Sequence, residues 1–169
     1  MQKLTPEYLS GLKTKDVLSL DPAEHCGYYS VYDSGTKYFP NTETAPKKYG
    51  EDYGQMKNFR KWLCDFIEER HVKVLVSEAL DGGGKSWLSM RKLAKFHGVI
   101  QEVTEAYNIP IHYVNQKALK KWATGNGNAD KQLMIEYCIK RWKREPVDDN
   151  EADAIHLFYH FCKLYNVRA

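Results

Sequence analysis

The chain has 169 residues, of which 43% are hydrophobic and 28% charged, and its formal net charge is +3. That length gives one domain with a core that needs no staple, and no apolar run is long enough to cross a membrane. The start, Met1-Gln2-Lys3-Leu4-Thr5-Pro6, lacks a signal-peptide pattern, and Cys26, Cys64, Cys138 and Cys162 lack CxxC spacing, so they read as buried free thiols of a cytoplasmic protein rather than disulfides or zinc ligands.

Residues 1–16 read as a polar lead-in. Val17-Leu18-Ser19-Leu20 is the first predicted strand and delivers Asp21 at its end. His25 to Asp33 is rich in β-formers and predicts a second strand. Asp33-Ser34-Gly35 turns the chain into a short third strand at Lys37-Tyr38-Phe39, so the three make an antiparallel meander. After a polar loop at 40–50, Met56, Phe59, Leu63, Phe66 and Ile67 recur at helical spacing between Glu51 and Arg70. The fourth strand, 72–77, delivers Glu78. Asp81-Gly82-Gly83-Gly84 breaks the chain, and Ser86 can cap a long helix to about Tyr107. Ile109 to Val114 is the fifth strand. A short basic helix follows from Gln116 to Trp122, then a turn at Thr124-Gly125-Asn126-Gly127, and Asn128 is placed to cap a helix to about Arg144. Asp148 and Glu151 form a capping box for the last helix.

That last helix carries Asp148, Asp149, Asn150, Glu151 and Asp153 in its first turns. Asn150 and Asp153 are three apart and Asp149 and Asp153 four apart, so either pair shares a face. For Asp148, Asp149 and Glu151 a simpler role suffices, because acids at a helix N-terminus favour the helix dipole. Asp153 lies past the first turn between Ala152 and Ala154, whose small side chains let the helix approach a sheet. Alone, Asp21 would be a turn acid before Pro22 and Glu78 a loop glutamate. With Asp153 they make the hard oxygen set that Mg²⁺ takes, and a pair of such ions clamps both oxygens in a phosphoryl displacement. This combination points to a metal-dependent nuclease.

The charge distribution agrees. Residues 85–144 carry 12 basic and 4 acidic side chains, against 11 and 13 in residues 1–84 and 2 and 5 in residues 145–169. A basic middle suits a polyanion held against acids, or is a solvated helical surface. Lys120, Lys121 and Lys131 flank the glycine turn, either as phosphate contacts or as a solvated helix end, and the turn leaves backbone N–H groups open to phosphate. Gly82-Gly83-Gly84-Lys85-Ser86 looks like part of a P-loop, but that motif requires glycine where Ala79 stands, so no nucleotide cofactor is expected. Trp87, Trp122 and the tyrosines read mainly as core or surface anchors, with base stacking as a second use.

The order βββαβαβα, with one extra helix before the last, predicts an α/β fold: a five-stranded mixed sheet with helices on both faces. It matches the ribonuclease-H-like architecture, in which the first and fourth strands are central neighbours. Within that architecture the chain resembles the RuvC-type Holliday-junction resolvases, especially short phage-encoded members, over nearly its whole length. The motifs that carry the resemblance are Ser19-Leu20-Asp21-Pro22-Ala23 with Cys26-Gly27-Tyr28; Val76-Ser77-Glu78; Lys120-Lys121 through Gly125-Asn126-Gly127-Asn128-Ala129-Asp130-Lys131; and Asn150-Glu151-Ala152-Asp153-Ala154-Ile155.

The resemblance implies a junction-resolving endonuclease that uses two Mg²⁺ per subunit, with Mn²⁺ able to substitute. It acts as a homodimer that nicks opposed strands of a four-way or other branched DNA. Asp21 takes the place of the first-strand metal ligand, Glu78 that of the fourth-strand ligand, and Asp153 that of the second acid of a C-terminal pair. The first acid of that pair falls on Asn150, a departure, so either the Asn150 amide oxygen or neighbouring Asp149 completes the set. Lys120 and Lys131 match two phosphate-contacting lysines, with Lys121 and Lys85 as further basic contacts. Where some relatives carry a junction-stacking aromatic, this chain has Asp81, which leaves Leu80 or Trp87 as the wedge. The 86–107 helix, with Leu88, Leu93, Phe96, Val99, Ile100 and Val103, has apolar surface enough for both core and partner subunit.

Overall fold

The computed structural model describes residues 2–42, 53–81 and 86–169. Lys85 and the three glycines before it lie outside the described residues.

Five strands form one mixed sheet: β1 (Val17–Asp21), β2 (His25–Tyr29), β3 (Ser34–Tyr38), β4 (Val74–Glu78) and β5 (Ile111–Val114). Their order across the sheet is β3-β2-β1-β4-β5. The meander β1-β2-β3 is antiparallel, and β1, β4 and β5 run parallel. The second strand is shorter than its β-rich sequence suggests, because Ser30 leaves the ladder: its side chain takes the N–H groups of Tyr32 and Asp33, a local turn that competes with further pairing.

Strand parity divides the core. Val17, Val74 and Val76 face one side of the sheet, while Leu18, Leu20 and Leu75 face the other. Both sides are buried, as expected for central parallel strands. The second face is covered by α2 (Tyr53–Arg70) and α3 (Trp87–Ala106), through Phe59, Leu63, Phe96 and Ile100, each fully buried. The first face is covered chiefly by α6 (Asp149–Leu164), backed by α4 (Gln116–Thr124) and α5 (Lys131–Trp142). The lead-in is more than polar: it holds a short helix, α1 (Pro6–Ser10), and Leu4, Tyr8 and Leu9 pack on the first-face core while Leu12 is buried in it.

Two contacts seat α6 tightly on the sheet. A Cβ placed on Gly27 would lie 1.9 Å from the carbonyl oxygen of Asn150, so only glycine lets the helix come this close. Deeper in, the Ser19 hydroxyl donates to the Ala154 carbonyl at 2.6 Å, with both residues fully buried. The helix opens at Asp148, whose carboxylate accepts from the Glu151 N–H at 2.9 Å and the Thr36 hydroxyl at 2.5 Å. The Glu151 carboxylate accepts from the N–H of Val147 at 2.7 Å, one residue earlier than the expected capping box places it. The start of α5 also differs from expectation. Asp130 caps it through the Leu133 N–H at 2.9 Å, and Asn128 instead donates its own N–H to Asn126 within the turn. All four cysteines are free, Cys64 being half-buried and the others buried. Among the described residues no helix is long and apolar enough to cross a membrane.

Candidate active site

The parallel register sets Leu20 beside Ser77, which brings Asp21 and Glu78 together at the carboxyl ends of the two neighbouring strands. By parity both point to the face that α6 covers, as Ser19 and Val76 do two residues earlier. Asp153 comes down from α6 onto them. Carboxylate oxygens of Asp21, Glu78 and Asp153 lie within 4.8 Å of one another. Glu78 is buried, and the other two are half-buried.

Three carboxylates this close repel. Burial, reinforced by the Asp21 charge, pushes the Asp153 carboxyl up to about 8, and Asp149 adds to the rise while Lys120 and Lys131 oppose it. The Asp153 Oδ1 atom is buried and accepts no hydrogen bond. An all-oxygen donor set with a buried lone pair left over fits a hard divalent cation, and fits poorly a metal that prefers sulfur or nitrogen.

The remaining expected residues fall into three groups. Lys120 is half-buried and lines an open cleft of about 670 Å³ with Asp81, Asn115, Gln116, Lys117, Gly127 and Asn128. Lys131, the first residue of α5, reaches Asp149 at 2.7 Å. Lys121 is exposed, and its carbonyl receives the Gly125 N–H at 2.8 Å, closing α4 with a residue at φ +84°. Asp149 stands beside the close acid group but outside it. Asn150 lies at the point where α6 touches Gly27, and its amide is 3.5 Å from Asp148 Oδ2. Leu80 and Trp87 line an apolar groove of about 450 Å³ with Met90, Arg91, Ala94 and Lys95, and Trp87 is 77% exposed. Trp122 is an anchor: it stacks on Trp142 at 5.6 Å, and the Arg141 guanidinium lies over both rings.

Two further side chains stand at the site beyond those the sequence motifs mark. Gln116, the first residue of α4, points its amide at Glu78 Oε2 from 3.5 Å. Buried His97 of α3 lines a cavity of about 170 Å³ together with Asp21, Pro22, Glu78 and Leu93. For Gln116 a signal existed. Val114 pairs with Glu78, so whatever follows the fifth strand arrives at the same end of the strands. His97 carries no comparable mark.

No protein-family model matches the chain. It is similar to the crossover junction endodeoxyribonuclease RuvC of Christiangramia forsetii, at 28% identity over 153 residues, covering 89% of this chain and 79% of that protein. In structure it is similar to RuvC of Thermus thermophilus (TM-score 0.65, 13% identity, 89% of this chain and 96% of that one). The Thermus protein in complex with Holliday junction substrate compares likewise (TM-score 0.66, 14% identity, 89% and 94%). The yeast mitochondrial Holliday junction resolvase Ydc2 is more distant (TM-score 0.54, 12% identity, 95% and 88%). The chain therefore resembles the RuvC-type resolvases in sequence and has the RuvC form of the ribonuclease-H-like fold.

Proposed function

We propose that this protein is a metal-dependent, structure-selective endodeoxyribonuclease that resolves four-way and other branched DNA junctions with paired nicks. The observation that carries the reading is the meeting of Asp21, Glu78 and Asp153 from three distant parts of the chain, in a fold whose relatives include junction resolvases. Asp21, Glu78 and Asp153 would hold two Mg²⁺, or Mn²⁺ in their place, with Asn150 or Asp149 as the fourth donor. Such ions lower the pKa of the attacking water and neutralise charge on the leaving 3′ oxygen.

The chain's own side chains do the rest. Lys120 and Lys131 hold the phosphate beside the acids, Lys121 extends the basic track along the backbone, and Lys85 is a further basic contact proposed from the sequence alone. Leu80, which also lines the small cavity with Glu78, and Trp87 present apolar surface on which a base at the branch point can stack. Gln116 steadies the Glu78 carboxylate. The protein works as a homodimer whose α3 helices contribute the contact, in the cytoplasm of a bacterial or phage-infected cell. Asn150, an amide where the related pattern has an acid, favours a second reading: a module that holds branched DNA without cutting it.

Nicking of a labelled synthetic four-way junction in Mg²⁺, beside EDTA and linear-duplex controls, separates the two. Asp21→Asn and Glu78→Gln should each reduce nicking at least about 100-fold while junction binding persists, since metal ligands matter at least as much as the residues that orient them. Substantial cutting by either variant would remove the assignment.

A further inference from the structure

Asp149 and Lys131 contact each other. The ammonium of Lys131 lies 2.7 Å from Asp149 Oδ2. The lysine side chain is 80% exposed and the aspartate 24% exposed, so the two ends of the pair are held very differently. Asp149 is fixed by the first turn of α6, one helical turn before Asp153 on the same face. Lys131 opens α5, where the positive end of the helix dipole disfavours a cation. Helix formation therefore does not explain this lysine, and an exposed four-carbon stem has no packing to aim it. Among the contacts of the described residues, its ion pair is what sets where the charge stands.

We infer that Asp149 is a positioning residue: it anchors the Lys131 ammonium beside the acid group, ready for a substrate phosphate, and does not itself ligate the metal. This rests on the functional reading above, and it leaves the fourth donor position to Asn150. An ammonium has three donors, so Lys131 can keep Asp149 while giving another hydrogen bond to a phosphate oxygen. Without its anchor, Lys131 would swing among the remaining acids. Asp153, with its unbonded oxygen, is the nearest competitor one turn along the helix. Such a contact would occupy a metal donor and draw the ammonium away from the phosphate at once.

The test is a double-mutant cycle on the full chain: wild type, Asp149→Asn, Lys131→Gln and the double variant, with Asp149→Glu as the conservative control. Mn²⁺ binding to DNA-free protein is measured by titration calorimetry, junction affinity in EDTA by fluorescence anisotropy, and kcat and KM for junction nicking in Mg²⁺. Asp149→Asn should leave Mn²⁺ affinity within about twofold while raising the junction KM several-fold, and its effect should vanish in the Lys131→Gln background, as coupled residues require. Asp149→Glu should recover most of the loss. A fall in Mn²⁺ affinity of about tenfold or more in both backgrounds would make Asp149 a metal ligand and overturn the inference. Effects on KM that simply multiply, or no effect on KM, would overturn it too. Wild-type protein that neither binds nor nicks junctions would instead remove the functional reading, and this inference with it.

Discussion

Asp153 carries a charge that is costly in the metal-free protein. Its carboxyl is raised to about 8 by burial and by Asp21, so the folded state binds that proton far more tightly than the unfolded chain does. The sign follows directly. The contribution of Asp153 to stability is intact while the group is protonated, and it is lost as pH climbs from the unfolded value of about 4 through the folded value. Asp153→Asn should therefore melt higher than wild type in EDTA at about pH 8, with the gap closing toward about pH 4. Thermal melts across that range check this, and a variant that melts lower than wild type at pH 8 would contradict it. Mg²⁺ should raise the melting temperature of wild type and not that of the variant, by mass action on the folded state. The three close acids were legible in the sequence because each ends an apolar strand or sits between alanines on an apolar helix. Gln116 and His97 were harder to see, since a polar residue on an amphipathic helix looks the same whether it faces water or a cavity.

At the scale of elements, α6 decides whether the site exists. Its seat on the sheet depends on the missing side chain of Gly27, and the Ser19 hydroxyl adds one hydrogen bond to it. Gly27→Ala puts a methyl into the Asn150 backbone, which must move, at a cost of about 1–3 kcal/mol for overpacking. Because Asp153 rides on the displaced helix, nicking should fall by more than the fraction of protein unfolded. Ser19→Ala should cost about 1 kcal/mol and leave nicking nearly intact, because the Ala154 carbonyl loses one partner without any backbone shift. Denaturant unfolding paired with nicking rates tells the two apart; equal activity losses would mean that the seat does not control the site. The helices and the strand order were readable from periodicity and from the run of elements. Their ends were less so. Asp130 rather than Asn128 caps α5, and Ser30 ends β2, because local side-chain hydrogen bonds outweighed propensity there. The packing of the lead-in is hidden in the sequence because Leu4, Tyr8, Leu9 and Leu12 are too few to show a period, although all four join the first-face core.

The whole molecule is electrically divided. The acids come from residues 21, 78 and 153, and the segment between the last two carries most of the excess basic charge. DNA binding should accordingly weaken steeply with salt. Removing Lys120 or Lys131 should lower the slope of log affinity against log salt by about 0.9 for each phosphate that the protein no longer neutralises. Anisotropy titrations of a four-way junction in EDTA at several salt concentrations read this directly, and an unchanged slope would place that lysine off the phosphate track. The alignment of β1 with β4 has a practical consequence for anyone who refolds or redesigns this chain. A shift of one residue between these strands would turn one of the two strand-borne carboxylates to the opposite face. On the proposed function, the nicking activity of a preparation, calibrated against a reference sample, would count the molecules whose strands are in step.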